Sequence, residues 1–124
     1  MTRRETILTV AAPLATGIMG EARTQSRKLQ IVCVGAHPDD PESGCGGTLA
    51  RYAARGHTVT IIYLTRGEAG IPGKTHDEAA GIRTDEAEKA CRILGARPLF
   101  AGQIDGSTEI SNARYEAFDT LLKG

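Results

Sequence analysis

The chain has 124 residues, with 15 basic and 15 acidic side chains and a formal net charge of zero. Aromatics make up 4% and no basic run interleaves with them, so the signature of a nucleic-acid surface is missing and no nucleic-acid partner is expected. The length holds one domain at most.

The first 29 residues differ from the rest. Arg3-Arg4 precedes an apolar stretch from Ile7 to Gly20, then Glu21-Ala22 and a polar run from Arg23 to Lys28. That is the n-region, h-region and small-residue cleavage order of an export signal, with Ala22 as the last residue removed. Thr2-Arg3-Arg4-Glu5-Thr6-Ile7-Leu8 also has a twin-arginine form. Residues 1–22 are therefore expected to direct export to the periplasm or exterior, and 23–29 to be a linker. The alternative is a frayed or amphipathic N-terminal helix on a cytoplasmic protein. No stable membrane span is expected, because a bilayer needs about 20 apolar residues.

Residues 30–36 form an apolar run with the pattern of a strand buried on both faces. It ends in His37-Pro38-Asp39-Asp40, where Pro38 biases His37 toward extended backbone and stops the strand. In an open α/β sheet, ligands bind beyond the carboxyl ends of strands. One imidazole and two adjacent carboxylates at that location suit Zn²⁺, with one carboxylate to spare for proton transfer. The plainer alternative is a His-Pro-Asp turn that caps the next helix.

A glycine-dense stretch then enters a helix predicted from Ser43 to Arg55, closed by Gly56 as a left-handed cap. Its glycines are expected to let backbone N–H groups approach a ligand and to leave room near a metal. Gly44-x-Gly46 is no dinucleotide fingerprint, since Leu49 replaces the third glycine, and no Gly-Lys-Ser/Thr of a P-loop occurs.

The β-branched run Thr58–Leu64 is the second strand, followed by a glycine-rich loop from Thr65 to Lys74. Thr75-x-x-Glu78 is a capping box opening a second helix that ends at Gly95. Ala79, Ile82, Ala87, Ala90, Ile93 and Leu94 make its inward stripe, and Asp85–Lys89 and Glu88–Arg92 are outward pairs. Residues 98–101 are a short third strand. Asn112–Lys123 is a third helix with Tyr115, Phe118, Leu121 and Leu122 inward. Strands alternating with helices give right-handed crossovers and a parallel sheet, with order 3-2-1 at this end.

Three cysteines without a C-x-x-C pair suggest no disulfide framework. Cys33 and Cys91 read as small buried hydrophobes, and Cys45 ranks as a thiolate ligand below His37 and Asp40.

Ala36-His37-Pro38-Asp39-Asp40 together with Gly44-x-Gly46-Gly47-Thr48 resembles the start of the PIG-L/LmbE-like family of zinc-dependent N-deacetylases. Leu64–Gly70, Arg83-x-x-Glu86-Ala87 and Leu94-Gly95 match in register, over about residues 30–106. The resemblance implies an α/β fold, a Rossmann-like three-layer sandwich with a mostly parallel sheet. It implies hydrolysis of an N-acetyl group from an amino-sugar-type or related amide, so an N-acetylated sugar or conjugate is the expected small-molecule partner. It assigns His37 and Asp40 as two ligands of a Zn²⁺ cofactor and Asp39 as the catalytic general base.

It also implies a later strand with a second histidine motif and a third ligand, which has no counterpart here. Residues 30–124 are thus expected to be the amino-terminal part of a deacetylase domain, truncated after its third β-α unit, with a flank that invites a second copy of the chain. Arg66 is a candidate for substrate, or for a salt bridge to Glu68. Asp105, in the loop after strand three, is a second substrate candidate, although Asp-Gly is first a turn signal. Arg83 and Glu86 are read mainly as a buried structural ion pair. His57 falls at the far edge of the sheet and is no ligand, whereas His76, at a helix start on the site's edge, is either a stand-in for the third ligand or a solvated side chain. The competing reading is an inactive remnant that binds metal weakly or serves only in interactions. A nucleotide-binding module is disfavoured by the broken glycine pattern.

Overall fold

Alternation along the central strand organises the molecule. In the computed structural model, which describes residues 27–123, the elements are β1 (Gln30–Gly35), α1 (Asp40–Ala54), β2 (Thr58–Tyr63), α2 (His76–Leu94), β3 (Arg97–Phe100) and α3 (Asn112–Lys123). The proposed export signal lies outside the described residues, as does the start of the linker. The sheet has order β1-β2-β3 and is parallel throughout, with Gln30 opposite Thr58 and Thr60 opposite Arg97.

Val59, Ile61 and Tyr63 of β2 point to one face, where they pack with Leu49 of α1 and Ala87 and Cys91 of α2. Thr60 and Ile62 point to the opposite face and are also buried. Ile61 is wholly enclosed, and such a side chain contributes about 2–3 kcal/mol of hydrophobic stabilisation. Two right-handed crossovers in the same direction put α1 and α2 on one face. The end of α3 borders the other, where Leu121 and Leu122 line a pocket with Val32 and Ile62. These are the three layers of a Rossmann-like α/β sandwich.

Four expectations are corrected. Helix α1 starts at Asp40, not Ser43, because Pro41 fits the first turn and the Glu42 carboxylate accepts the Asp39 N–H at 3.2 Å. Gly44, Gly46 and Gly47 lie inside the helix, as in the predicted span, but Gly46 is buried against α2, where Leu94 approaches, rather than opening toward a ligand. Strand β1 is not covered on both sides: Val32 and Val34 are 44% and 47% exposed, while Ile31 and Cys33 face the core. The inward stripes are narrower than periodicity suggests. Ile82, Ile93, Tyr115 and Leu122 are exposed, and small residues (Ala79, Ala80, Ala87, Cys91) make the buried seam of α2.

The signals at the ends of α2 hold. Thr75 Oγ1 accepts the Glu78 N–H while the Glu78 carboxylate takes the Thr75 N–H, and Gly95 closes the helix at φ 72°. Of the two outward pairs, Glu88–Arg92 closes, at 3.9 Å. No helix among the described residues is long and apolar enough to cross a membrane.

Candidate active site

The site is built where β1 meets α1. A Cβ on Gly35 would stand 2.5 Å from the Pro41 ring, so only glycine lets strand end and helix start pack this closely. Pro38 is fully buried between them. Asp39 follows with φ 96°, the only positive-φ residue other than glycine among the described residues. Aspartate tolerates that region better than most residues, yet it costs on the order of 1 kcal/mol, and such strain gathers at functional sites.

That turn sends Asp39 and Asp40 in different directions. The Asp40 Oδ2 accepts the His37 backbone N–H at 2.9 Å and lies 3.5 Å from His37 Nδ1. Asp39 Oδ2 instead takes a 2.8 Å hydrogen bond from Arg83 Nη2, which also donates to the Pro38 carbonyl at 2.8 Å. Two neighbouring acids thus have separate partners.

His37 is the hub. Its Nε2 lies 2.9 Å from Asp105 Oδ1, and the other Asp105 oxygen accepts the Ala69 N–H. Glu68 braces the same loops by accepting N–H bonds from both Arg66 and Asp105. The hydrogen bond to Asp105 raises the His37 pKa above 6.5; partial burial opposes it, and the charges of Asp105 and Asp40 add to it. For Asp105, burial pushes upward, but the bonds from His37 and the Ala69 and Gly106 N–H groups and the imidazole charge hold it below its ordinary 3.8.

The donor set can be tested against a divalent metal. Two donors about 2.0–2.1 Å from a tetrahedral zinc stand about 3.4 Å apart. The 3.5 Å between His37 Nδ1 and Asp40 Oδ2 fits two adjacent corners. With the proton on Nε2 toward Asp105, neutral His37 presents its Nδ1 lone pair, the carboxylate–imidazole arrangement that orients metal-binding histidines. Among the described residues no group of three His, Cys, Asp or Glu side chains is gathered to hold an ion, so the cradle has two corners.

Other candidates fall elsewhere. The Arg66 guanidinium lies over the Phe100 ring at 5.9 Å, so its side chain forms no salt bridge with Glu68. Cys45 turns toward Cys33 and the core, not toward His37. His57 accepts the Leu29 N–H at the opposite edge of the sheet, and His76 is exposed at the start of α2. Arg83 is the residue that sequence reading misplaced. It does pair with Glu86 at 3.4 Å, but its shortest contacts are in the site, and Asp39 is the chief cause of its raised pKa.

An imidazole between two carboxylates, with a third carboxylate held by arginine, lies beyond the carboxyl ends of the parallel strands of a Rossmann-like domain. The chain belongs to the PIG-L family, described as GlcNAc-PI de-N-acetylase, whose model matches residues 32–123. A 1D-myo-inositol 2-acetamido-2-deoxy-alpha-D-glucopyranoside deacetylase of Corynebacterium diphtheriae is 40% identical over 82 residues, which cover 59% of this chain and 28% of that protein. Among solved structures, the N,N'-diacetylchitobiose deacetylase of Pyrococcus horikoshii superposes with a TM-score of 0.71 at 27% identity, over 75% of this chain and 36% of that one. The 4-carboxy-2-hydroxymuconate hydratase of Pseudomonas putida superposes with a TM-score of 0.63 at 28% identity, over 70% and 39%. The chain therefore spans less than half the length of the relatives it matches.

Proposed function

We propose that this chain carries the catalytic edge of a zinc-dependent N-deacetylase that hydrolyses the acetamide of an N-acetylated amino sugar or its conjugate. The observation that carries this reading is the division of labour at the site. His37 Nδ1 and Asp40 Oδ2 face each other at 3.5 Å, while Asp39 is held apart by Arg83. The substrate class is supported by the two relatives named for acetylated amino sugars.

His37 and Asp40 would hold the zinc, and Asp105 would fix the imidazole. Zinc supplies Lewis acidity: it lowers the pKa of water to about 7 and polarises the acetyl carbonyl. Asp39 takes the proton of the attacking water and delivers a proton to the amine nitrogen as the C–N bond breaks. Arg83 occupies one oxygen of that carboxylate and leaves the other for the water. Asp105 and Arg66 stand at the same edge as further sugar contacts, Asp105 through the loop that carries it.

The hydratase relative favours a second reading, in which the same site adds water to an unsaturated acid. The family match and the 40% identity to the corynebacterial deacetylase rank the amide reaction first. The inactive remnant is the third. Incubation of the zinc-loaded protein with N,N'-diacetylchitobiose and with an N-acetylglucosaminyl inositol decides among them. Zinc-dependent acetate release, lost in Asp39→Asn, is expected; hydration of an unsaturated dicarboxylate without acetate release would support the hydratase, and neither activity the remnant. Export by residues 1–22 is part of the proposal. Recovery of periplasmic protein with those residues intact would contradict cleavage after Ala22.

A further inference from the structure

Cys33 and Cys45 bracket the segment that carries His37, Asp39 and Asp40. Their sulfurs lie 3.5 Å apart, one on the core face of β1 and the other in α1. Cys45 is also where α1 departs from helical geometry (φ −149°, ψ 15°), so the backbone at the second sulfur is not locked into a continuous helix. Among the described residues its only other polar side-chain contact is a weak one to the Pro41 carbonyl at 3.4 Å. The third cysteine, Cys91, is wholly buried beside the Tyr63 hydroxyl and stands apart from this pair.

We propose that Cys33 and Cys45 form a reversible dithiol–disulfide pair that staples β1 to α1 around the site. Sulfurs already in contact need to close by about 1.5 Å to reach the bonded distance of about 2.05 Å, a shift that the break at Cys45 can absorb. The oxidant is a low-molecular-weight disulfide such as oxidised glutathione. One protein thiolate attacks it, forming a mixed disulfide and releasing the first glutathione thiolate. The second protein thiolate then attacks the protein sulfur of that bond and releases the second. Two protein S–H bonds and one S–S bond are exchanged for one protein S–S bond and two glutathione S–H bonds, so two electrons pass to glutathione.

Both thiols are half-buried, and burial with the neighbouring thiol pushes Cys33 up to about 11, so exchange speeds up as pH rises. Once formed, the bond closes a short loop that removes conformations from the unfolded chain rather than adding contacts to the folded one.

The intact chain can be equilibrated in glutathione buffers of graded potential, quenched with acid, alkylated and digested with trypsin. Cys33 and Cys45 share one tryptic peptide, Leu29–Arg51, and Cys91 falls in another, Ala90–Arg92. The expected result is an unlabelled Leu29–Arg51 peptide about 2 Da lighter than its dithiol form, with Cys91 labelled after unfolding. The equilibrium constant for that bond in folded protein should exceed the value in concentrated urea by at least about tenfold. Equal constants in the two states, a Cys91-containing disulfide, or glutathione retained on either cysteine at equilibrium would each overturn the proposal.

Discussion

Arg83 Nη2 lies 2.8 Å from both Asp39 Oδ2 and the Pro38 carbonyl oxygen, so one guanidinium on α2 holds the turn that presents both acids. The contact joins residues 44 positions apart and fixes Asp39 where its backbone is already strained. Removing it should cost stability and turnover together. Arg83→Ala is expected to lower unfolding free energy by about 1 kcal/mol, reduced from the usual charged hydrogen-bond figure because Asp39 is largely exposed. In the acetate-release assay kcat should fall about tenfold to hundredfold. Arg83→Lys should recover stability better than rate, since a single ammonium cannot match the fork.

Asp105 acts on His37 rather than alone. Asp105→Ala removes the 2.9 Å partner of Nε2 and the acceptor for Ala69 N–H. Zinc affinity, measured by competition with a chelator, should drop about 10–100-fold. Unchanged affinity would mean that the imidazole needs no such brace.

Gly35 tests the junction under the site. Gly35→Ala puts a methyl 2.5–2.6 Å from the buried Pro41 ring, and urea unfolding should show a loss of about 1–3 kcal/mol. Gly44→Ala is the control. Among the described residues nothing lies within 4 Å of its added Cβ, and in a helix alanine is favoured by about 0.5–1 kcal/mol, so this variant should be equal or more stable.

The α2 cap has a pH signature. The Thr75 backbone N–H, then its hydroxyl, hold the Glu78 carboxyl below its ordinary 4.5. Because the folded value is the lower one, the contribution is present above pH 4.5 and is lost as pH falls through the folded value. Thr75→Ala should cost about 1 kcal/mol at neutral pH. The stability gap between wild type and Glu78→Gln should close on acidification; a gap that widened would have the wrong sign.

Much of the frame was readable because its signals are local. The β-branched run at 58–64, the Thr75–Glu78 box and Gly95 each act within a few residues; the strand ends one residue earlier, at Tyr63, and both caps stand where their residues indicate. The start of α1 was misread because a proline followed by acids serves a turn and a first helical turn equally well. The exposure of Val32, Ile82 and Ile93 depends on which elements cover them, and hydrophobic spacing carries no such information. His37, Asp39 and Asp40 could be picked out because they are adjacent in sequence. Asp105 meets His37 across 68 positions, and Arg83 meets Asp39 from another helix. Those contacts exist only after the sheet has brought the loops to one edge.

In the proposed site His37 and Asp40 hold a metal while Asp39, with one oxygen on Arg83, serves proton transfer. Elemental analysis of purified protein after zinc loading and desalting tests it most directly, run beside His37→Ala, Asp40→Ala and Asp39→Asn. The account predicts about one zinc per wild-type chain, near-complete loss in the first two variants and retention in the third. Zinc retained without His37 or Asp40, or lost on changing Asp39 alone, would contradict it.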